Sequence, residues 1–122
     1  MASRRRRLSR SGEFDRVYRD GKSHATRYLV LYSFPRQGEE GEDVRLGVSV
    51  SRKVGGAVDR NKVKRVLREA FWELSDQLPP QHDFVVVARP EISELIEREG
   101  GTGVRASLEE ALASGASKGG ST

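Results

Sequence analysis

The chain has 122 residues, enough for one compact domain with a modest core and short for two. Hydrophobic residues make up 35% and charged residues 33%, so much of the sequence must cover a solvated or ligand-facing surface. Cysteine is absent, which excludes disulfides and thiolate metal sites, and the longest apolar stretches, 28–32 and 84–88, fall far short of the roughly 20 residues that span a bilayer. The net charge of +4 is unevenly placed: residues 1–36 hold ten basic and three acidic side chains and residues 52–72 seven and two, whereas 37–51 and 73–122 are acidic. Two basic blocks of this kind suit one polyanion-binding surface, or equally the solvation of two separate faces.

Residues 1–10 (MASRRRRLSR) carry charge without a core-forming pattern and read as a flexible basic arm. The polar stretch from Leu8 to Gly12 follows where a secretion signal requires an apolar run, so a cytoplasmic location is expected. Ser11 is the expected cap of a first helix that sets Phe14, Val17 and Tyr18 on one face and ends at Gly21. Residues 22–27 suit a short edge strand, and 28–34, rich in β-branched and aromatic side chains, a buried strand. Residues 35–43 are a Gly-rich acidic loop. In the next strand Val44, Leu46, Val48 and Val50 point one way, and Arg45, Gly47, Ser49 and Ser51 the other. That second face is small and polar, open to close approach by a ligand or simply to solvent.

Gly55 and Gly56 precede the strongest helix, expected over 58–78, with Val63, Val66, Leu67, Ala70, Phe71 and Leu74 on its apolar stripe. Pro79 and Pro80 end it. Residues 83–89 form a continuous apolar run expected at the sheet centre, parallel to a partner across the helical connection. Residues 91–114 hold one broken or two short helices around Gly100 and Gly101, and 115–122 read as a disordered tail, leaving 11–114 as the single domain.

On the second helix, Asn61, Arg65, Arg68 and Trp72 fall on one outward line flanked by Lys62 and Lys64. Guanidinium forks at that spacing suit phosphate, although an ordinary solvated face with an Arg65–Glu69 pair has the same pattern. The aromatics are open to two roles, core packing or a platform on which bases stack. A protein active site is poorly supported: only His24 and His82 are present, with no nucleophile elbow, P-loop or two-metal carboxylate spacing, so catalytic and metal-ligating residues are expected to be none.

Residues 55–71, GGAVDRNKVKRVLREAF, resemble the signature segment of the bacterial ribonuclease P protein family at Ala57, Val58, Arg60, Asn61, Lys64, Arg65 and Arg68. The Phe14-x-x-x-Tyr18 helix, the strand at 29–32, the GVSVSRK run at 47–53 and the VVVARP run at 85–90 follow in family order. Gly56 stands where the family usually has Asn, and Lys62 where it usually has Arg. The resemblance implies an α/β (α+β) two-layer sandwich in αβββαβα order, a mixed four-stranded sheet packed against helices with a left-handed βαβ crossover, like a domain of a small-subunit ribosomal protein. It implies that Arg60, Asn61, Lys62, Lys64, Arg65 and Arg68 meet a catalytic RNA subunit. Phe14, Tyr18, Tyr32, Ser49, Ser51, Arg52 and Lys53 would hold the 5′ leader of precursor tRNA. Mg2+ held mainly by the RNA would serve the cleavage, with no membrane and no obligate protein partner. The other reading is a ribosomal or RNA-assembly protein that binds structured RNA without a part in cleavage.

Overall fold

The computed structural model describes residues 5–8, 10–36 and 43–121, with side chains given at 7–8, 10–36 and 43–114. Its elements are β1 (Arg5–Arg7), α1 (Ser11–Asp20), β2 (Lys22–Ala25), β3 (Leu29–Pro35), β4 (Val44–Ser49), α2 (Ala57–Trp72), a 3-10 turn (Ser75–Gln77), β5 (His82–Ala88) and α3 (Ile92–Ser121), the last broken at Gly100 with φ 63°. From α1 onward this is the expected order. The expected mixed four-stranded sheet, β2 to β5, is present, and β1 extends it to the order β1-β4-β5-β3-β2. β4 and β5 run parallel and are joined through α2, while β3 pairs antiparallel with both β5 and β2.

Several expectations are corrected in detail. Part of the arm expected to be flexible is a strand: β1 pairs in parallel with β4, Leu8 donates its N–H to the Leu46 carbonyl at 2.9 Å, and the Leu8 side chain is buried. An edge of β4 that would otherwise leave backbone groups unpaired is covered by a short, charged strand. Ser11 is the first helical residue rather than the cap; the cap is Arg10, whose N–H reaches Glu13 Oε1 at 3.2 Å. α2 stops at Trp72 because the chain tightens into i→i+3 bonds, Leu74 N to Phe71 O at 3.0 Å and Gln77 N to Leu74 O at 2.8 Å, before the two prolines. The acidic loop at 37–42 lies outside the described residues, and the expected tail from 115 falls where no side chains are described.

Strand alternation sorts the side chains into two layers. On one face Leu29, Leu31, Val44, Leu46, Phe84, Val86 and Ala88 pack against Val63, Leu67, Phe71 of α2 and Leu95, Val104, Leu108 of α3. Truncating a fully enclosed side chain such as Phe84 or Leu67 would cost about 2 to 5 kcal/mol. Leu8, Val17 and Val85 form a smaller cluster on the other face, where α1 lies, joined by Phe14, Tyr32, Phe34 and Val87. α3 is tied to the β2–β3 turn by a buried hydroxyl pair, Thr26 Oγ1 and Ser107 Oγ at 2.6 Å. Gly21 closes α1 where nothing larger fits, since a Cβ there would stand 2.4 Å from the Val17 carbonyl oxygen and 2.7 Å from that of Ser33.

The fully buried Asp83, second residue of β5, holds the α1 face together. Its Oδ1 accepts from Arg36 Nη1 and Arg45 Nε, both at 2.6 Å, and its Oδ2 accepts from Arg45 Nη2 at 2.8 Å and Arg16 Nη2 at 3.1 Å. Arg45 also reaches Glu13 Oε2 at 2.8 Å, and Arg36 donates to the Asp43 carbonyl. One carboxylate thus joins α1, β3, β4 and β5. Burial pushes the Asp83 carboxyl up, but the Arg45, Arg36 and Arg16 guanidinium groups outweigh it and hold the group below the usual carboxylate range.

Two outcomes are expected. Asp83→Asn should cost about 3 to 5 kcal/mol of stability at neutral pH, because it leaves three buried or half-buried guanidinium groups without their shared partner. Because the folded-state pKa lies below the unfolded one, the carboxylate's contribution is complete above about pH 4 and is lost as pH falls through the folded value. Urea unfolding across acidic pH should therefore show a loss of stability below about pH 4 that is much reduced in the Asn variant.

Candidate nucleic-acid interface

α1 presents Phe14 and Tyr18 one turn apart, their ring centroids separated by 6.3 Å. Tyr18 meets Tyr32 of β3 edge-on at 5.0 Å with an interplanar angle of 79°, and its hydroxyl shares a hydrogen bond with Ser49 of β4. Burial raises the Tyr18 pKa above its ordinary value and the Ser49 bond partly offsets this, yet 38% of the residue remains exposed. The three rings are not equivalent: Phe14 and Tyr32 are half-buried against the smaller core cluster, whereas Tyr18 stands open. Gly47 explains how Phe14 sits so close to the sheet, since a Cβ on that glycine would be 2.4 Å from Phe14 Cζ. Part of the small face of β4 is thus occupied by the protein's own ring rather than left open for a ligand.

Beyond Tyr18 the sheet face continues through Ser49 and the half-buried Val87. The turn after β4 then carries the exposed Ser51, Arg52 and Lys53, braced by the Lys53 N–H donating to Ser51 Oγ at 3.3 Å. The seven residues expected to hold a leader therefore gather along α1, β3 and the C-terminal end of β4. They combine flat aromatic faces, hydroxyls and two exposed cations that have no ion pair among the described residues, the composition of a single-strand platform.

The cations of α2 lie across the sheet from that platform, on the layer packed against the larger core. Asn61, Lys62 and Arg65 are exposed. Arg60, Lys64, Arg68 and Trp72, four residues apart, form a half-buried flank, so the single outward line expected for Asn61, Arg65, Arg68 and Trp72 is divided into an outer row and an inner row. Arg65 is only loosely paired with Glu69, at 3.8 Å with both side chains 70% exposed, and such a pair contributes little and leaves the guanidinium available. Arg60 Nε is buried without a hydrogen-bond partner. Burial, and then the charge of Arg7, lower the pKa of Arg68.

His82 and Asp83 are neighbours in β5 but face opposite ways: His82 Nδ1 lies 2.9 Å from the Pro80 carbonyl oxygen and its ring stacks on Phe84, while Asp83 is held by the arginines. They form no dyad. Sequence reading missed Arg16, Arg36, Arg45 and Asp83 as one cluster; the signal available was the placement of Arg45 on the same strand face as Gly47 and Ser49. Arg16 also lies over the Phe34 ring, 4.7 Å from its centroid, and so helps hold α1 on the sheet beside the aromatic groove of Phe14, Tyr18 and Tyr32. Among the described residues no helix is long and apolar enough to cross a membrane.

A family model described as Ribonuclease P matches residues 2–112. Among curated relatives, the ribonuclease P protein component of Shouchella clausii is 44% identical over 106 residues, covering 87% of this chain and 82% of the relative. That of Bacillus cereus is 40% identical over 96 residues, covering 79% and 82%. The solved ribonuclease P protein of Staphylococcus aureus superposes with a TM-score of 0.74 at 34% identity, covering 88% of this chain and 92% of that one. The Thermotoga maritima protein gives 0.73 at 36%, covering 87% and 94%. A match of this length, in sequence and in fold, shows that the chain belongs to the ribonuclease P protein family.

Proposed function

We propose that the chain is the protein subunit of a ribonuclease P ribonucleoprotein, binding the catalytic RNA through α2 and the 5′ leader of precursor tRNA through the aromatic groove. The observation that carries the reading is the open Tyr18 ring, edge-on to Tyr32 and anchored to Ser49 on a part of the sheet that α1 leaves uncovered. A generic partner of folded RNA needs cations alone. A stacking platform continuous with Arg52 and Lys53 fits a single strand passing from bases to backbone.

In this reading the holoenzyme hydrolyses the phosphodiester between leader and tRNA, leaving a 5′-phosphate on the tRNA and a 3′-hydroxyl on the leader. Mg2+, which would be held mainly by the RNA, would supply the activation of the attacking water. The buried carboxylate of this chain does not fit a metal, because Asp83 already accepts from three guanidinium groups. The protein's part is to bind and orient. Tyr18 and Tyr32 offer faces and edges to leader bases, Ser49 holds the Tyr18 hydroxyl, and Arg52 and Lys53 neutralise leader phosphates. On the other layer, Arg60, Asn61, Lys62, Lys64, Arg65 and Arg68 draw the RNA subunit close and lower its self-repulsion, which favours metal binding by the RNA.

Reconstitution with the catalytic RNA supplies the test. Tyr18→Leu keeps apolar bulk and removes the π-face, so it should reduce the ratio of precursor to mature tRNA affinity by roughly fivefold, about 1 kcal/mol, with melting temperature unchanged. Arg52→Ala and Lys53→Ala should lower the same ratio in a salt-dependent way. If all three variants fold and leave the ratio at its wild-type value, the groove does not hold the leader. Independently, Arg65→Ala should weaken binding to the RNA subunit and lower the slope of log affinity against log salt by about one. An unchanged affinity and slope would remove α2 from the RNA interface.

A further inference from the structure

We propose that Arg7 of β1 and Arg68 of α2 together form a seat for a single backbone phosphate of the RNA subunit, so that the edge strand is part of the RNA-binding surface. The proposal rests on the reading that α2 meets RNA and extends it to a residue outside the helix. Its geometry comes from the sheet. Arg7 is paired with Leu46, and cross-strand partners share a face; Leu46 is buried in the layer beneath α2, so Arg7 lies on the α2 side while its neighbour Leu8 is buried on the α1 side.

Arg68 is in the half-buried inner row of α2, on the flank turned away from α3, whose Arg105 reaches Glu73 on the opposite flank at 3.6 Å, and so towards the β1 edge; burial, and then the charge of the exposed Arg7, lower its pKa. Among the described residues neither arginine has an ion-pair partner, whereas nearby arginines do: Arg65 has Glu69, Arg45 has Glu13 and Asp83. Two guanidinium groups borne by separate elements on one side of the sheet, with no carboxylate paired to either among the described residues, repel in the free protein. A phosphate oxygen pair placed between them accepts from both forks and turns that repulsion into attraction. The inner row supplies the approach to the seat, since Lys64 and Arg60 follow Arg68 at intervals of about 6 Å along the helix and Arg60 brings its unpartnered buried Nε. A chain of phosphates running along α2 would meet these cations in turn and end at Arg7.

The test uses the full chain and the catalytic RNA, with affinity measured across a salt series for Arg7→Ala, Arg68→Ala, the double variant and Arg65→Ala. Each single change at the seat should weaken binding by roughly tenfold at fixed salt. Because both arginines serve one phosphate, the double variant should weaken it by less than the product of the singles and lower the salt slope by about one. Arg7→Glu adds a protein-only readout. It gives Arg68 an internal partner, so the free protein should melt at or above the wild-type temperature while binding RNA less tightly than Arg7→Ala.

Wild-type affinity in Arg7→Ala, independent losses with a slope lowered by about two in the double variant, or a lower melting temperature in Arg7→Glu would each overturn the shared seat. With Arg65→Ala impaired, such a result leaves the role of α2 standing. With Arg65→Ala also unaffected, α2 itself is removed from the interface and the seat with it.

Discussion

A single buried carboxylate sets the geometry of the α1 side of this protein. Asp83 lies in the central strand, and the three arginines that share its oxygens come from α1, the end of β3 and the start of β4. Apolar contacts on that face are few, with Leu8, Val17 and Val85 as the buried members of its cluster. Non-directional burial of so small a patch would leave α1 free to slide or rotate. Directed, charge-assisted bonds to a fixed point in the sheet remove that freedom. The rings of Phe14 and Tyr18 are positioned as a result, one over Gly47 and the other against Tyr32 and Ser49.

The two faces of the sheet divide the work. The α2–α3 face carries most of the hydrophobic core and presents cations on the outside of its helix; the α1 face has a thin core and an uncovered stretch of strand. The turn of Arg52 and Lys53, between β4 and α2, is where the chain passes from one face to the other, so the two basic surfaces are continuous around one end of β4. On the proposed function, an RNA subunit and a single strand would be held at once by a chain of this size without competing for the same side chains.

Much of this was legible in the sequence because it rests on periodicity. The alternation of Val44, Leu46 and Val48 with Arg45, Gly47 and Ser49, the apolar stripe of α2 and the continuous run at 84–88 report burial directly, and the strands and helices follow. The residues of the aromatic groove were legible only through the family resemblance, since ring spacing by itself does not separate a core residue from a stacking one. The Asp83 cluster was hidden for a different reason. Its members are separated by up to 67 positions, and nothing local distinguishes Arg16 or Arg45 from any solvated arginine. The strand at Arg5–Arg7 was missed because its pattern is charge, and its pairing depends on an edge of β4 that no local rule reveals.

The parallel pairing of β4 with β5 has a consequence for how the chain comes off the ribosome. Arg45 and Asp83 are 38 positions apart, with the whole of α2 between them, so β4 is made long before the strand that fills the sheet beside it. Until then Arg16, Arg36 and Arg45 have no central carboxylate, and the emerging segment is strongly cationic, with an open strand edge. Closing that long loop is the slow, non-local event that topology assigns to this fold. The nascent chain therefore spends its synthesis as a basic, half-assembled sheet, and native packing on the α1 side begins only when the central strand arrives.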